Sequence, residues 1–180
     1  MIMCKFNVKL IPATAYLIFL IQGCNPDHSR LMNDTELITG IDGFISEWHQ
    51  SAANSDHTKY IGAMAVDGIY IGTDATELWT TKEFGEWSKP YFDKKRGWNL
   101  VKLDRHIYLG ADKRTAWFDE LLDTGMGLCR GSGVVQKVNG NWQICQYVLS
   151  PTIPNELISQ VKSLKSSRDS IIINALKSKP

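Results

Sequence analysis

Residues 98–150 read WNLVKLDRHIYLGADKRTAWFDELLDTGMGLCRGSGVVQKVNGNWQICQYVLS. Alternating apolar and polar positions, interrupted by turn residues, predict four β-strands joined by three turns. Asn139-Gly140 is a two-residue hairpin signal, because a type I′ turn needs positive φ at both central positions. It sets Val138 opposite Asn141, Val134 opposite Cys145 and Cys129 opposite Ser150. The turn at Gly110-Ala111-Asp112-Lys113 sets Leu109 opposite Arg114, and the turn around Gly125-Met126 sets Thr124 opposite Gly127.

These pairings sort the side chains into two faces, since successive residues of a strand point to opposite sides. One face carries Leu103, Arg105, Ile107, Phe118, Glu120, Gly131, Gly133, Gln146 and Val148. The other carries Asp104, His106, Trp117, Asp119, Arg130 and Tyr147. The first is more apolar and is expected to meet the core. It places Glu120 opposite Gly131, with Arg105 as a diagonal neighbour. The absent side chains of Gly131 and Gly133 would leave volume beside that charged pair. A ligand site is therefore expected at Glu120 and Arg105, with Phe118, Gly133 and Gln146 on the same face and Trp79 closing the mouth. The alternative is a satisfied core ion pair, costly to desolvate, with the glycines at bulges or bends. The second face reads as half-solvated or as a dimer surface anchored by Trp117, Arg130 and Tyr147.

Upstream, Leu37, Ile41, Phe44, Ile45, Trp48 and Ala52 repeat at helical spacing, predicting a helix over 35–53 with Asn33 and Glu36 as a capping box. A shorter helix is predicted over 57–66 with Asp56 as cap, then a short strand over 68–72. Thr73 to Trp79 reads as a loop. Thr80 and Glu83 start a third helix, which Pro90 kinks or ends. His49 and His57 lack spaced partners and are expected at the surface. Downstream, Pro154 starts a last helix carrying Leu157, Val161 and Leu164, and residues 166–180 form a Lys/Ser-rich end. Helices followed by a meander give an α+β order.

The chain opens with Lys5 and Lys9, an apolar run over 10–21, and Ile21-Gln22-Gly23-Cys24. A basic start and a short apolar core predict a secretory signal peptide, the run being too short to span a bilayer. The last four residues resemble the bacterial lipoprotein box. That resemblance implies cleavage after residue 23, lipid on Cys24 and, with Asn25 next, an outer-membrane address facing the periplasm. Two or more acyl chains would anchor the protein stably. The expected organisation is a signal peptide (1–23), a tether (24–34), one folded domain (35–155), and a C-terminal helix and tail (156–180). Losing the leader removes two lysines and no acid, taking the net charge from +1 to −1. That balance argues against nucleic acid as a partner. Cys129 and Cys145 fall out of line in the register, so two free, buried thiols are expected. There is no glycine-rich phosphate loop and no metal-ligand spacing, and neither nucleotide nor metal is expected.

The order of elements resembles the nuclear transport factor 2-like fold, and within it the SnoaL-like group. The match is carried by Ile71-Gly72-Thr73-Asp74-Ala75-Thr76-Glu77, Arg105-His106-Ile107-Tyr108-Leu109, Thr115-Ala116-Trp117-Phe118-Asp119-Glu120, Arg130-Gly131-Ser132-Gly133-Val134 and Gly140-Asn141-Trp142-Gln143-Ile144. It covers residues 36–155. The resemblance implies a cone in which a curved antiparallel sheet wraps a pocket, often dimeric through the outer sheet face. Relatives often carry histidines on the last strand where this chain has Gln146 and Val148. The superfamily hosts isomerases, cyclases, dehydratases, binding proteins and assembly domains, so the fold does not settle the activity.

Three readings follow. The first is a lipid-anchored module binding a small hydrophobic or aromatic molecule, with Glu120 and Arg105 fixing its polar groups. The second, close behind, is an isomerase, lyase or cyclase with Glu120 as acid or base, unless Arg105 holds it ionised. The third is a structural module that dimerises through Trp117, Arg130 and Tyr147.

Overall fold

The computed structural model describes residues 33–179. The leader, Cys24 and the tether before residue 33 lie outside the described residues, and with them the expectation of a lipid anchor.

Helix α1 (Asp34–Ala53) starts at the expected capping box. Asn33 accepts from the Glu36 N–H at 2.8 Å and Glu36 accepts from the Asn33 N–H at 3.1 Å. Its apolar stripe, Leu37, Ile41, Ile45, Trp48 and Ala52, is buried. Helix α2 (His57–Gly62) is shorter than the sequence suggests, because Met64 to Val66 open strand β1 (Met64–Ile71). Met64 pairs with Ile144, and the Ile144 N–H donates to the Ala63 carbonyl at 2.9 Å. Sheet pairing outweighs local helical preference there.

Strand β2 (Leu78–Thr80) forms at the end of the expected loop and takes in Thr80, the cap of the next helix. Helix α3 (Thr81–Asp93) begins at the Thr80–Glu83 capping box and runs three residues past Pro90. Strands β3 (Leu100–Leu109), β4 (Thr115–Thr124), β5 (Gly127–Val138) and β6 (Asn141–Pro151) form the expected meander. The six strands make one sheet in the order β2-β1-β6-β5-β4-β3. β1 joins β6 in parallel and every other pair is antiparallel. After a 3₁₀ turn (Asn155–Leu157), helix α4 (Ile158–Lys177) takes in most of the expected tail and buries none of its residues.

The β4–β5 register follows the sequence reading, with Thr124 opposite Gly127 and Glu120 opposite Gly131. The β3–β4 register is shifted by two, with Leu109 opposite Ala116. Asp112 causes the shift: its carboxylate accepts from the N–H groups of Arg114 and Thr115, at 2.9 and 3.0 Å, and extends the loop. A shift of two preserves the faces, and it brings Arg105 directly opposite Glu120. A bulge between Lys102 and Asp104 turns Leu103 outward, where it is 59% exposed.

The β5–β6 hairpin starts as expected, with Val138 opposite Asn141 and Val135 opposite Ile144. A bulge at Cys145 then puts Val134 opposite Gln146. One extra residue reverses every face beyond it. Tyr147 and Leu149 point into the core, and Gln146 is exposed. Tyr147 is thus no part of the outer face. Cys129 and Cys145 are both free; Cys129 is buried and Cys145 only half-buried.

Candidate functional site

The register gathers charge around Glu120. Asp42, Ser46 and His49 are spaced by four and three residues, so they share one face of α1. That face lies over β3 and β4. Glu120 is 1% exposed. Its Oε2 accepts from Arg105 Nε at 2.8 Å, and Arg105 Nη2 sits 2.7 Å from the same oxygen. Its Oε1 lies 2.8 Å from His49 Nε2 and accepts from the Tyr147 hydroxyl at 2.9 Å. Arg105 Nη1 continues to the Asp42 carboxylate (2.8 Å) and the Ser46 hydroxyl (3.0 Å), and Asp42 meets Lys102 at 2.9 Å.

Gly131 makes this arrangement possible. A Cβ there would collide with the Tyr147 hydroxyl and come within 2.8 Å of Glu120 Oε1. The volume that the sequence suggests beside the glycines is therefore filled by Tyr147. At Gly133 a Cβ would come within 2.8 Å of the Phe118 ring, so this glycine serves close packing.

Burial pushes the Glu120 carboxyl up, but His49 and Arg105 outweigh it and hold the group below the usual glutamate range. Burial and the Glu120 charge raise the Tyr147 phenol well above its ordinary value, so it stays a hydrogen-bond donor. Both oxygens of Glu120 are thus occupied by donors. His49 Nδ1 is buried with no hydrogen-bond partner, and His49 and Arg105 border a small groove of about 210 Å³.

A larger cavity, about 440 Å³, adjoins that groove at Asn99 and Leu100, where the β1–β2 loop and the β4–β5 turn approach the residues before β3. Tyr70, Trp79, Phe84, Trp87 and Trp98 wall it, with Leu100, Met126 and Leu149 completing the apolar surface. The rings brace one another: Tyr70 stacks on Phe84 at 3.8 Å and Trp79 on Trp87 at 4.6 Å between centroids. Trp98 is held by its Nε1, which donates to the Tyr60 hydroxyl at 3.1 Å. Glu77 is the only charged residue lining this cavity among the described residues.

The residues singled out from the sequence thus part company. Glu120 and Arg105 meet, in a network rather than a cavity. Phe118 is buried core, packed against Tyr147 at 6.1 Å between centroids. Gly133 packs beneath Phe118, and Gln146 lies on the opposite face. Trp79 lines the aromatic cavity. His49, expected at the surface, is 4% exposed and holds Glu120. The signal for His49 was its place four residues after Ile45, on the buried stripe of α1. Glu77, Trp87 and Trp98 were missed because the chain brings them together only through tertiary packing. Trp117, 50% exposed, stacks on Tyr108 on the outer face, where Arg130 lies 3.9 Å from Asp119.

Solved structures share this architecture. A domain of unknown function with a cystatin-like fold from Nostoc punctiforme aligns over 82% of this chain and 100% of its own, at 14% identity and a TM-score of 0.58. A candidate dehydratase of the nuclear transport factor 2-like family from Streptomyces avermitilis aligns over 68% and 100%, at 10% identity and 0.57. A nuclear transport factor 2-like protein of unknown function from Pseudomonas putida aligns over 66% and 88%, at 14% identity and 0.55. At such identities the likeness concerns the fold, which is nuclear transport factor 2-like. No curated protein matches the chain. The family model of the SnoaL-like domain matches residues 41–154, and the chain belongs to that family.

Proposed function

We propose that this protein binds a small organic molecule in the aromatic cavity between Trp79, Trp87 and Trp98, without turning it over. The observation that carries this reading is the cavity itself. At about 440 Å³ it falls within the range of small-molecule sites, and its walls are apolar with few polar groups. The three tryptophans report occupancy directly, so titration of the full chain with aromatic and hydrophobic metabolites, followed by tryptophan fluorescence, tests it. Saturable quenching that Trp79→Ala weakens is the expected result. Unchanged emission across the panel would remove the reading.

Catalysis by Glu120 is the less favoured alternative. Its carboxylate is ionised, its oxygens are engaged by His49, Tyr147 and Arg105, and it does not line the aromatic cavity. Product formation lost in a folded Glu120→Gln variant would restore it.

We further propose that lipid on Cys24 holds the domain at the outer membrane, facing the periplasm. The support is the sequence alone: Lys5 and Lys9, the short apolar run, and Gly23-Cys24. Cys24→Ser should move the protein from the membrane to the soluble fraction. The outer face, with Trp117 and Tyr108 exposed, is the surface through which two copies would pair, and sedimentation of Trp117→Ala against the wild type tests that.

A further inference from the structure

Four features of the cavity narrow its ligand. Its walls are aromatic rings, and the quadrupole of such a ring carries negative charge on its face. Its single charged lining residue is a carboxylate, Glu77, and no lysine, arginine or histidine lines it among the described residues. Glu77 makes no ion pair with any described residue. The carboxylate is also fixed in place. Its Oε2 accepts from the Asp74 N–H at 3.0 Å, and the group lies against Gly72, where any Cβ would collide with it. The Gly72 N–H donates to the Glu77 carbonyl at 2.9 Å, which closes the loop around it. The negative charge of Glu77 is felt at the buried Tyr70 phenol.

We infer that the cavity selects an organic cation, an alkylammonium or quaternary ammonium group carried on a hydrophobic body. This inference rests on the proposal that the cavity is a binding site, and it names the chemistry of the occupant. Glu77 would neutralise the ammonium. The tryptophan faces would receive its polarised methyl or methylene groups, and the apolar remainder of the cavity would take the body. An ammonium ion over an aromatic face is attracted by the ring quadrupole, more strongly when it is desolvated. An anion would meet Glu77 and the ring faces with no compensating cation.

The test is isothermal titration calorimetry of the full chain with three probes of similar shape. These are benzyltrimethylammonium, its neutral carbon isostere neopentylbenzene, and phenylacetate. The wild type should bind the cation about tenfold more tightly than the isostere, a difference of about 1.4 kcal/mol, and should bind phenylacetate most weakly. Glu77→Gln keeps the acceptor for the Asp74 N–H and should lose that tenfold preference while holding neopentylbenzene as before. Its thermal unfolding, run alongside, should match the wild type. Two results would overturn the inference yet leave the cavity standing as a binding site: equal or tighter binding of the isostere by the wild type, or a cation preference untouched in Glu77→Gln. Failure of all three probes to bind would overturn the inference and the binding proposal together.

Discussion

Two neighbouring regions of this domain, joined where Tyr70 meets Tyr147, are built from opposite materials. Around Glu120 the side chains pack closely and most polar atoms are paired: helix α1 is tied to β3, β4 and β6 through Asp42, His49, Arg105 and Tyr147. Around Trp98, rings brace one another but leave about 440 Å³ empty. A buried carboxylate whose two oxygens both accept from neighbouring side chains is a fastening, and Glu120 has little left to offer a ligand. An apolar wall left uncovered costs the protein free energy that only an occupant recovers. Burial and charge, taken alone, therefore mark structural sites as readily as functional ones. The absence of packing around Trp98 is the better guide.

Arg105→Met should destabilise the protein by about 3–5 kcal/mol, because it strands the Glu120 charge in the interior. Urea unfolding followed by circular dichroism measures it. A loss under about 1 kcal/mol would mean that the network is not a fastening. Gly131→Ala should come next, at about 1–3 kcal/mol, since its Cβ must displace Tyr147 or Glu120 from their hydrogen bond. Tyr147→Phe in the same background removes the obstructing hydroxyl and should recover part of the loss. If it recovers nothing, the steric account of Gly131 is wrong.

At the aromatic cavity the expected signature is reversed. Trp79→Ala should weaken ligand binding by about 1–2 kcal/mol, or about five- to thirtyfold, because aromatic anchors dominate such sites. It should cost less in unfolding free energy than Arg105→Met does. Titration calorimetry and urea unfolding of the same variant separate the two effects. A variant that loses stability while keeping full affinity would make Trp79 a core residue and sharpen attention on Trp87 and Trp98.

Much of this architecture was legible in local chemistry. Asn33 with Glu36, and Thr80 with Glu83, announce two helix starts through hydrogen bonds made within four residues. Asn139-Gly140 announces a hairpin through its own dihedral requirement, with φ of 50° and 86° in the structure. Those signals depend on neighbours in the chain. The bulge at Cys145 does not, and that single residue sent Tyr147 inward and Gln146 outward. The turn at Gly125-Met126 fixes the register of β4 on β5 and so places Glu120 opposite Gly131, yet the sequence alone leaves the space above Gly131 open. Its filling by Tyr147 depends on a bulge in a different hairpin. The aromatic cavity was less legible still. Its walls come from β1, β2, α3, the residues before β3 and β6, and no periodicity links them.

Acidification offers the finest test, and it concerns the charge on Glu120. A carboxyl whose pKa is lower in the folded state than in the unfolded chain binds fewer protons when folded. Stability then rises with pH across the interval between the two values. The Glu120 contribution should be fully present above the unfolded glutamate value of about 4.3 and lost as pH falls through the lower folded value. Asp42 works in the same direction: burial raises it, but Lys102 and Arg105 outweigh burial and hold it down. The wild-type urea midpoint should therefore hold steady from neutrality to about pH 5 and then fall below about pH 4. Glu120→Gln should start less stable at neutral pH and fall less steeply on the acid side, keeping only the share that Asp42 and the surface carboxylates supply. A wild type that gains stability between pH 6 and pH 4 relative to Glu120→Gln would reverse the sign. Glu120 would then take up its proton more readily folded than unfolded, the network would hold a neutral acid, and the contrast between a fastened network and an open cavity would have to be redrawn with Glu120 as a proton donor.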